Sequence, residues 1–250
     1  MTTRTVAHQL RVEQKVFWRN RESAVFVFIF PILLFVLLAS VYDGHAFGRP
    51  VKYTLLAGLL SYGAANTAFA GLAISLVIRR ESGLLKRLRS TPLPSPVYLA
   101  AVGASVFIVF TLQTVALFAL GRVAFAMALP DNVASVAMLV VIGVAGFAGL
   151  GFAAASLIRS AEGASAVVNV VLLPMAFLSG AFGPTRHLPD VLRWVADVLP
   201  LKYYVDLARA VYIHGEHVWS KPWAIVAVLA WGAAGYAVAA RRFSWEPRDR

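Results

Sequence analysis

Apolar residues fall in six long blocks, near Ala24 to Tyr42, Tyr53 to Ile78, Val97 to Leu120, Val133 to Ile158, Gly163 to Phe182 and Pro222 to Ala240. A bilayer core of about 30 Å takes roughly 20 apolar residues at about 1.5 Å each, so each block predicts a transmembrane helix. The first block is longer than the roughly 7 to 15 apolar residues of a secretory signal and follows a long polar segment, so it reads as a retained anchor. Between the blocks, three segments carry a different pattern. Residues 1–23 read as an amphipathic helix: Val6, Leu10 and Phe17 share one face, while Arg4, His8, Arg11, Lys15 and Arg19 gather opposite, and Glu13 sits near the apolar side as a candidate partner contact. Such a helix suits the headgroup layer, either as a basic anchor for anionic lipid or as a strut for a partner. Residues 79–94, RRESGLLKRLRSTPLP, hold a short helix in which Leu84, Leu85 and Leu88 line one side, with Gly83 before it and Pro92, Pro94 and Pro96 after it. Residues 183–221 repeat Leu188, Val191, Leu192 and Val195 at helical spacing and predict two short helices broken by Pro200. The fold class expected is therefore all-α, one polytopic membrane domain across residues 1–250.

Charge sets the orientation. Six crossings put both termini on one side, and 15 of the 23 Lys and Arg residues fall on that side against 8 on the other. Short basic loops stay in the cytoplasm, so both termini and residues 79–94 are expected there, with 183–221 outside. The formal charge of +11 is then a signature of topology, and no nucleic-acid partner is expected. Composition agrees: 60% of residues are hydrophobic and 14% charged, against about 25% charged in an average soluble domain. With no cysteine in the chain, disulfides, thiolate metal sites and cysteine nucleophiles are excluded.

Candidate chemistry is sparse. No Lys follows a Gly, so the chain has no phosphate-cradling loop of its own, and the spans place no Asp, Glu, Lys, Arg or His near their centres for ion coupling. Their polar residues are neutral: Ser61, Asn66, Thr67 and Ser75, then Thr111, Gln113 and Thr114, then Ser165 and Asn169. Interhelical hydrogen bonds, worth about 0.6 kcal/mol each, are the plain account of them. Gly143, Gly146, Gly149 and Gly151 suit close helix packing, and Pro174 frees a carbonyl within the fifth span. An intramembrane enzyme acting on a lipid-like substrate is the alternative of another class. Its best motif, His214 to His217 (HGEH), lacks the His-Glu-x-x-His frame, and no Gly-x-Ser-x-Gly elbow occurs, so neither a metal site nor a catalytic residue is assigned. A membrane scaffold would explain the hydrophobicity but not the amphipathic knob at 79–94.

Two blocks resemble the permeases of type-2 ATP-binding-cassette (ABC) exporters, the class that moves drugs, lipids and glycans. Glu81, Gly83, Leu85, Leu88 and Pro92 match the family pattern E-x-G-x-L-x-x-L-x-x-x-P after the second span. Leu178, Ser179, Gly180, Pro184, Leu188, Pro189, Pro200 and Arg209 are similar to the signature at the end of the fifth span and the external segment that follows, and Pro31 and the N-terminal helix match as well. The resemblance implies an ATP-driven exporter permease in the plasma (inner) membrane, not itself an enzyme. It implies that 79–94 is a coupling helix docking a separate ATPase subunit, which binds the ATP and Mg, through Glu81, Gly83, Leu84, Leu85, Lys86, Arg87, Leu88 and Pro92. It further implies a homodimer or heterodimer among membrane lipid, and a substrate path at the dimer axis near Asn66, Phe69, Asn169, Leu173 and Phe177. The external gate is implied at Leu178, Ser179, Gly180 and Pro184, beside a re-entrant segment within 183–221.

Overall fold

The computed structural model describes residues 3–42, 44–91, 93–183, 185 and 189–246. It is an all-α, multi-pass membrane protein with six helices long and apolar enough to cross a bilayer. Helix α1 (Thr3–Arg19) leads into α2 (Arg21–Val41), the first span, across Asn20, whose Oδ1 accepts the Ser23 N–H and caps the new helix. A two-residue hairpin, β1 (His45–Ala46) against β2 (Arg49–Pro50), turns the chain into the second span. That span is α3 (Val51–Ala64), a π-helical segment (Ala65–Gly71) and α4 (Leu72–Glu81) in one continuous rod. Gly83, at φ 72°, takes the left-handed conformation that stops α4 and starts α5 (Leu84–Arg89) in a new direction. The third and fourth spans are α6 (Ser95–Phe125) and α7 (Val133–Leu157); the latter is capped by Asn132 Oδ1. The fifth, α8 (Ala161–Leu178), is capped by Ser160. Then come α9 (Asp190–Val198), α10 (Pro200–Tyr212) and the last span, α11 (Pro222–Arg242).

The second span is the central post. It is buried over most of its length, with α2, α6, α7, α8 and α10 packed round it, whereas α2 exposes most of its side chains. The closest packing lies between α7 and α11, and glycine makes it possible. A Cβ on Gly149 would stand 2.2 Å from the Gly232 carbonyl oxygen, and one on Gly235 would meet Gly149 backbone at 2.4 Å. Gly146 and Gly232 meet in the same way, so two glycine pairs with i,i+3 spacing interleave backbone against backbone. Higher on α7, the Tyr204 ring occupies the space over Gly143, and its hydroxyl donates to the Leu139 carbonyl at 2.9 Å.

The six spans begin and end within a few residues of the apolar blocks, and the two short helices around Pro200 are present. Two details differ. The fifth span stops at Leu178 rather than Phe182, because Gly180 adopts φ 76° and the chain turns back toward α3. The second span is not uniformly α-helical: the π segment holds Asn66, Thr67 and Phe69.

Candidate functional site

With six crossings, α1, the end of α11, α5 and the α7–α8 connection share one end of the bundle, called here the terminal end. Three consecutive residues at the close of α4 tie that end together. Arg79 Nη1 donates to Glu13 Oε2 on α1 at 2.7 Å and to the Tyr98 hydroxyl on α6 at 2.9 Å. Arg80 is buried, and its guanidinium donates to the carbonyls of Ala155 (2.7 Å) and Ile158 (2.5 Å) at the end of α7. Glu81 accepts the Ala161 N–H at the start of α8. A cation thus sits on the negative end of one helix dipole and a carboxylate on the positive end of the next. The triplet fixes α4, and the α5 knob that follows it, to four other elements, α1, α6, α7 and α8.

The knob itself is not the single leucine face that its spacing suggested. Leu85 is 0% exposed and belongs to the chain's own core, Leu88 is half-buried against it, and only Leu84, 43% exposed, stands free on the surface. Lys86, Arg87 and Arg89 are exposed beside it. The physical reason is that a one-turn helix pinned by Arg79 to Glu81 needs an internal anchor, and the middle leucine provides it. Pro92 lies outside the described residues. The N-terminal helix departs from expectation in a related way. Its buried positions are polar, Gln9 and Glu13, while Val6, Val12, Val16 and Trp18 are exposed. Gln9 Nε2 donates to Glu13 Oε1 at 2.9 Å, so the partner of Glu13 is within the chain.

Deeper in the bundle, Asn66 is 8% exposed and its carboxamide makes no hydrogen bond among the described residues, while Phe69 beside it is also buried. Asn169, Leu173 and Phe177 follow one another at i,i+4 on α8, which runs alongside the π segment. Leu173 and Phe177 are exposed on its outer side, and Asn169 Nδ2 donates to the Ser165 carbonyl at 2.9 Å. The two sets therefore line neighbouring elements but differ in exposure: one inside the chain, the other on its surface. Ser61, Ser75 and Thr111 bond to carbonyls of their own helices rather than across helices, and Thr67 bonds across, to Gln113.

At the far end, Leu178 and Ser179 close α8, and Arg209 on α10 donates from Nη2 to the Gly180 carbonyl at 2.8 Å. The guanidinium also lies 5.2 Å from the centre of the Phe47 ring. Burial draws its pKa below the ordinary value, an effect that Asp206 opposes. The chain beyond Gly180 settles on α3, where a Cβ on Gly58 would collide with the Ala181 carbonyl. Pro184 lies outside the described residues, as does Leu188. In the HGEH stretch, Glu216 accepts from Ser220 at 2.6 Å and His217 Nδ1 lies 2.8 Å from Asn132 Nδ2, so two of its three ligating side chains are engaged locally.

The family model for ABC-2 type transporters matches residues 8–213, which takes in the knob, the second span and the far-end turn. The chain belongs to the ABC-2 type transporter family. Among curated relatives of this ABC-2 permease, the probable multidrug ABC transporter permease YbhR of Escherichia coli K12 is 25% identical over 174 residues, covering 68% of the chain and 47% of the relative. The putative transport permease YvfS of Bacillus subtilis is 24% identical over 221 residues, 87% of the chain and 89% of the relative. Nodulation protein J of Bradyrhizobium diazoefficiens is 47% identical over a 45-residue stretch, 18% of the chain and 17% of the relative. The chain spans about half the length of YbhR. YbhR and YvfS are both named as permeases.

Sequence reasoning about the ABC-2 permease missed Arg79 and Arg80 as structural ties, because they read as topological charge. It also missed Gly232 and Gly235, although their i,i+3 spacing repeats that of Gly146 and Gly149 on the partner helix.

Proposed function

We propose that this permease exports a hydrophobic or amphipathic compound, of the drug, lipid or lipid-linked glycan class, across the plasma membrane. It works as a dimer driven by two copies of a separate ATPase subunit. The observation that carries the reading is the α5 knob, an exposed Leu84 among Lys86, Arg87 and Arg89, on a helix end locked by Arg79, Arg80 and Glu81 to α1, α7 and α8. A loop that served only to retain charge on one side would need no such bracing. The terminal end faces the cytoplasm, in keeping with its 15 Lys and Arg residues. ATP binding closes the ATPase pair, the knobs are drawn together, and the braced spans move from an inward to an outward arrangement.

The substrate path runs between α8 and the second span of each copy. Asn66 supports this: its carboxamide makes no hydrogen bond among the described residues, and a substrate or a second copy would supply one. The stripe Asn169, Leu173 and Phe177 faces outward from the chain, as a surface at a dimer axis would. The turn at Leu178 to Gly180, held by Arg209, forms the external gate, with α9 lying in the outer leaflet on its exposed Val191, Trp194 and Val198.

The test is reconstitution. The permease and its separate ATPase subunit are placed in proteoliposomes, and ATP-dependent movement of a fluorescent drug and of a labelled lipid is followed. Movement of at least one that stops when the ATPase is omitted supports the proposal. Equal movement with and without ATP refutes it.

A further inference from the structure

Gln113 lies halfway along α6 and is 1% exposed. Its carboxamide reaches two other helices. Nε2 donates to the Val27 carbonyl at 3.1 Å, and Oε1 accepts from the Thr67 hydroxyl at 3.0 Å. Val27 precedes Pro31 by four residues, so its carbonyl is the one that α2 cannot satisfy: Pro31 has no N–H to offer it. Thr67 sits within the π segment of the second span. A carbonyl only accepts, and with Nε2 placed there the Thr67 hydroxyl meets the amide oxygen, so both contacts favour the same amide orientation. Gly63 completes the arrangement, since a Cβ at that position would stand 2.9 Å from Gln113 Nε2.

We propose that Gln113 is a positioning residue for transport: it latches the π segment to the gap that Pro31 leaves in the hydrogen-bond ladder of α2, and the π segment is where the second span turns when the knob moves. The inference rests on the ATPase-driven reading above. A π segment holds a residue more than the α-helical ladder needs, so rewinding it into α-helix turns everything beyond by about 100° and lengthens the span by about 1.5 Å. Beyond it lie α4, the Arg79 to Glu81 ties and α5; within it lie Asn66 and Phe69. Knob movement and reorientation of the path residues are then one event. The Thr67 bond must break for it, while the Val27 bond can remain.

The experiment uses the full chain in nanodiscs, alone and with its ATPase subunit, and follows amide hydrogen exchange of a peptide covering residues 65–71 together with thermal stability. In the chain alone, Gln113→Leu raises exchange there about tenfold, and Gly63→Ala does the same by displacing the amide. In the complex, Gln113→Leu still hydrolyses ATP, but exchange at 65–71 no longer responds to nucleotide. Pro31→Ala returns an N–H to Val27, so in the double variant Tm recovers and the nucleotide response does not. Should Gln113→Leu fail to fold, Gln113→Asn, which keeps the amide but shortens its reach, carries the same test. Unchanged exchange in the Gln113 variants, or recovery of both Tm and response in the double variant, overturns the proposal. A wild-type complex that moves substrate with ATP but shows no nucleotide response at 65–71 overturns the proposal, whereas absence of ATP-dependent movement in the wild-type complex, with Gln113→Leu still raising exchange in the isolated chain, leaves the latch standing and refutes the ATPase-driven reading.

Discussion

Arg80 shows how a charge is kept at the end of a buried helix: two short bonds to the last carbonyls of α7 replace the water it has lost. Arg80→Ala leaves those carbonyls unmet, and a loss of about 2 to 4 kcal/mol is expected, read as a lower Tm of the purified protein. Glu81→Ala removes a single cap from an exposed site and should cost about 1 kcal/mol. The knob separates docking from folding residue by residue. Leu85→Asp places a charge in the chain's own core and should prevent folding. Leu84→Asp, at an exposed position, should leave Tm and insertion intact while abolishing co-purification of the ATPase, because an unpaired charge in a desolvated contact costs several kcal/mol. Arg89→Gln removes one cation from a wet rim, where ion pairs contribute about 0 to 1 kcal/mol, and should co-purify normally. At this scale the sequence was only partly legible. Spacing placed the three leucines within reach of one side, but which of them meets the protein's own interior depends on where Arg79 to Glu81 anchor the helix, and those partners lie 19 to 80 residues away in the chain.

Among elements, the pairing of α7 with α11 is the most constrained, since backbone meets backbone at Gly149 and Gly232. Gly149→Ala must push the two helices apart, so a loss of about 1 to 3 kcal/mol is expected, whereas Gly103→Ala on α6, with open space over its Cα, should be silent in the same melting experiment. The helices themselves were legible because twenty-residue apolar blocks have few alternatives in a bilayer. The π segment was not. Val51 to Glu81 is apolar nearly all round, so its pattern holds no phase against which an inserted residue could be noticed. The pairing of Pro31 with Gln113 was hidden for a related reason: a proline announces which carbonyl it frees, but not which of several neutral side chains will answer it. The polar inward face of α1 was likewise obscured, because Glu13 could be assigned to a partner only once Arg79 was placed beside it.

For the whole molecule, the absence of cysteine makes topology directly measurable. Single cysteines at Ser90 and Ser244 should react only with membrane-permeant reagents, and one at Gly48 should react with impermeant ones. Six spans and the basic terminal end lead to that outcome together, since either an odd span count or a reversed orientation changes at least one of the three labels. The central claim is that a separate ATPase grips this permease at α5. The most direct measurement is a photo-reactive cross-linker attached to a lone cysteine at Leu84, the exposed apolar side chain of the knob, followed by mass spectrometry of the adducts formed in native membranes. The account predicts a cross-link to an ATP-binding subunit, lost when that subunit is deleted and retained when Arg89 is changed to Gln. Cross-links confined to lipid, or to the permease itself, in membranes that contain the subunit would contradict it.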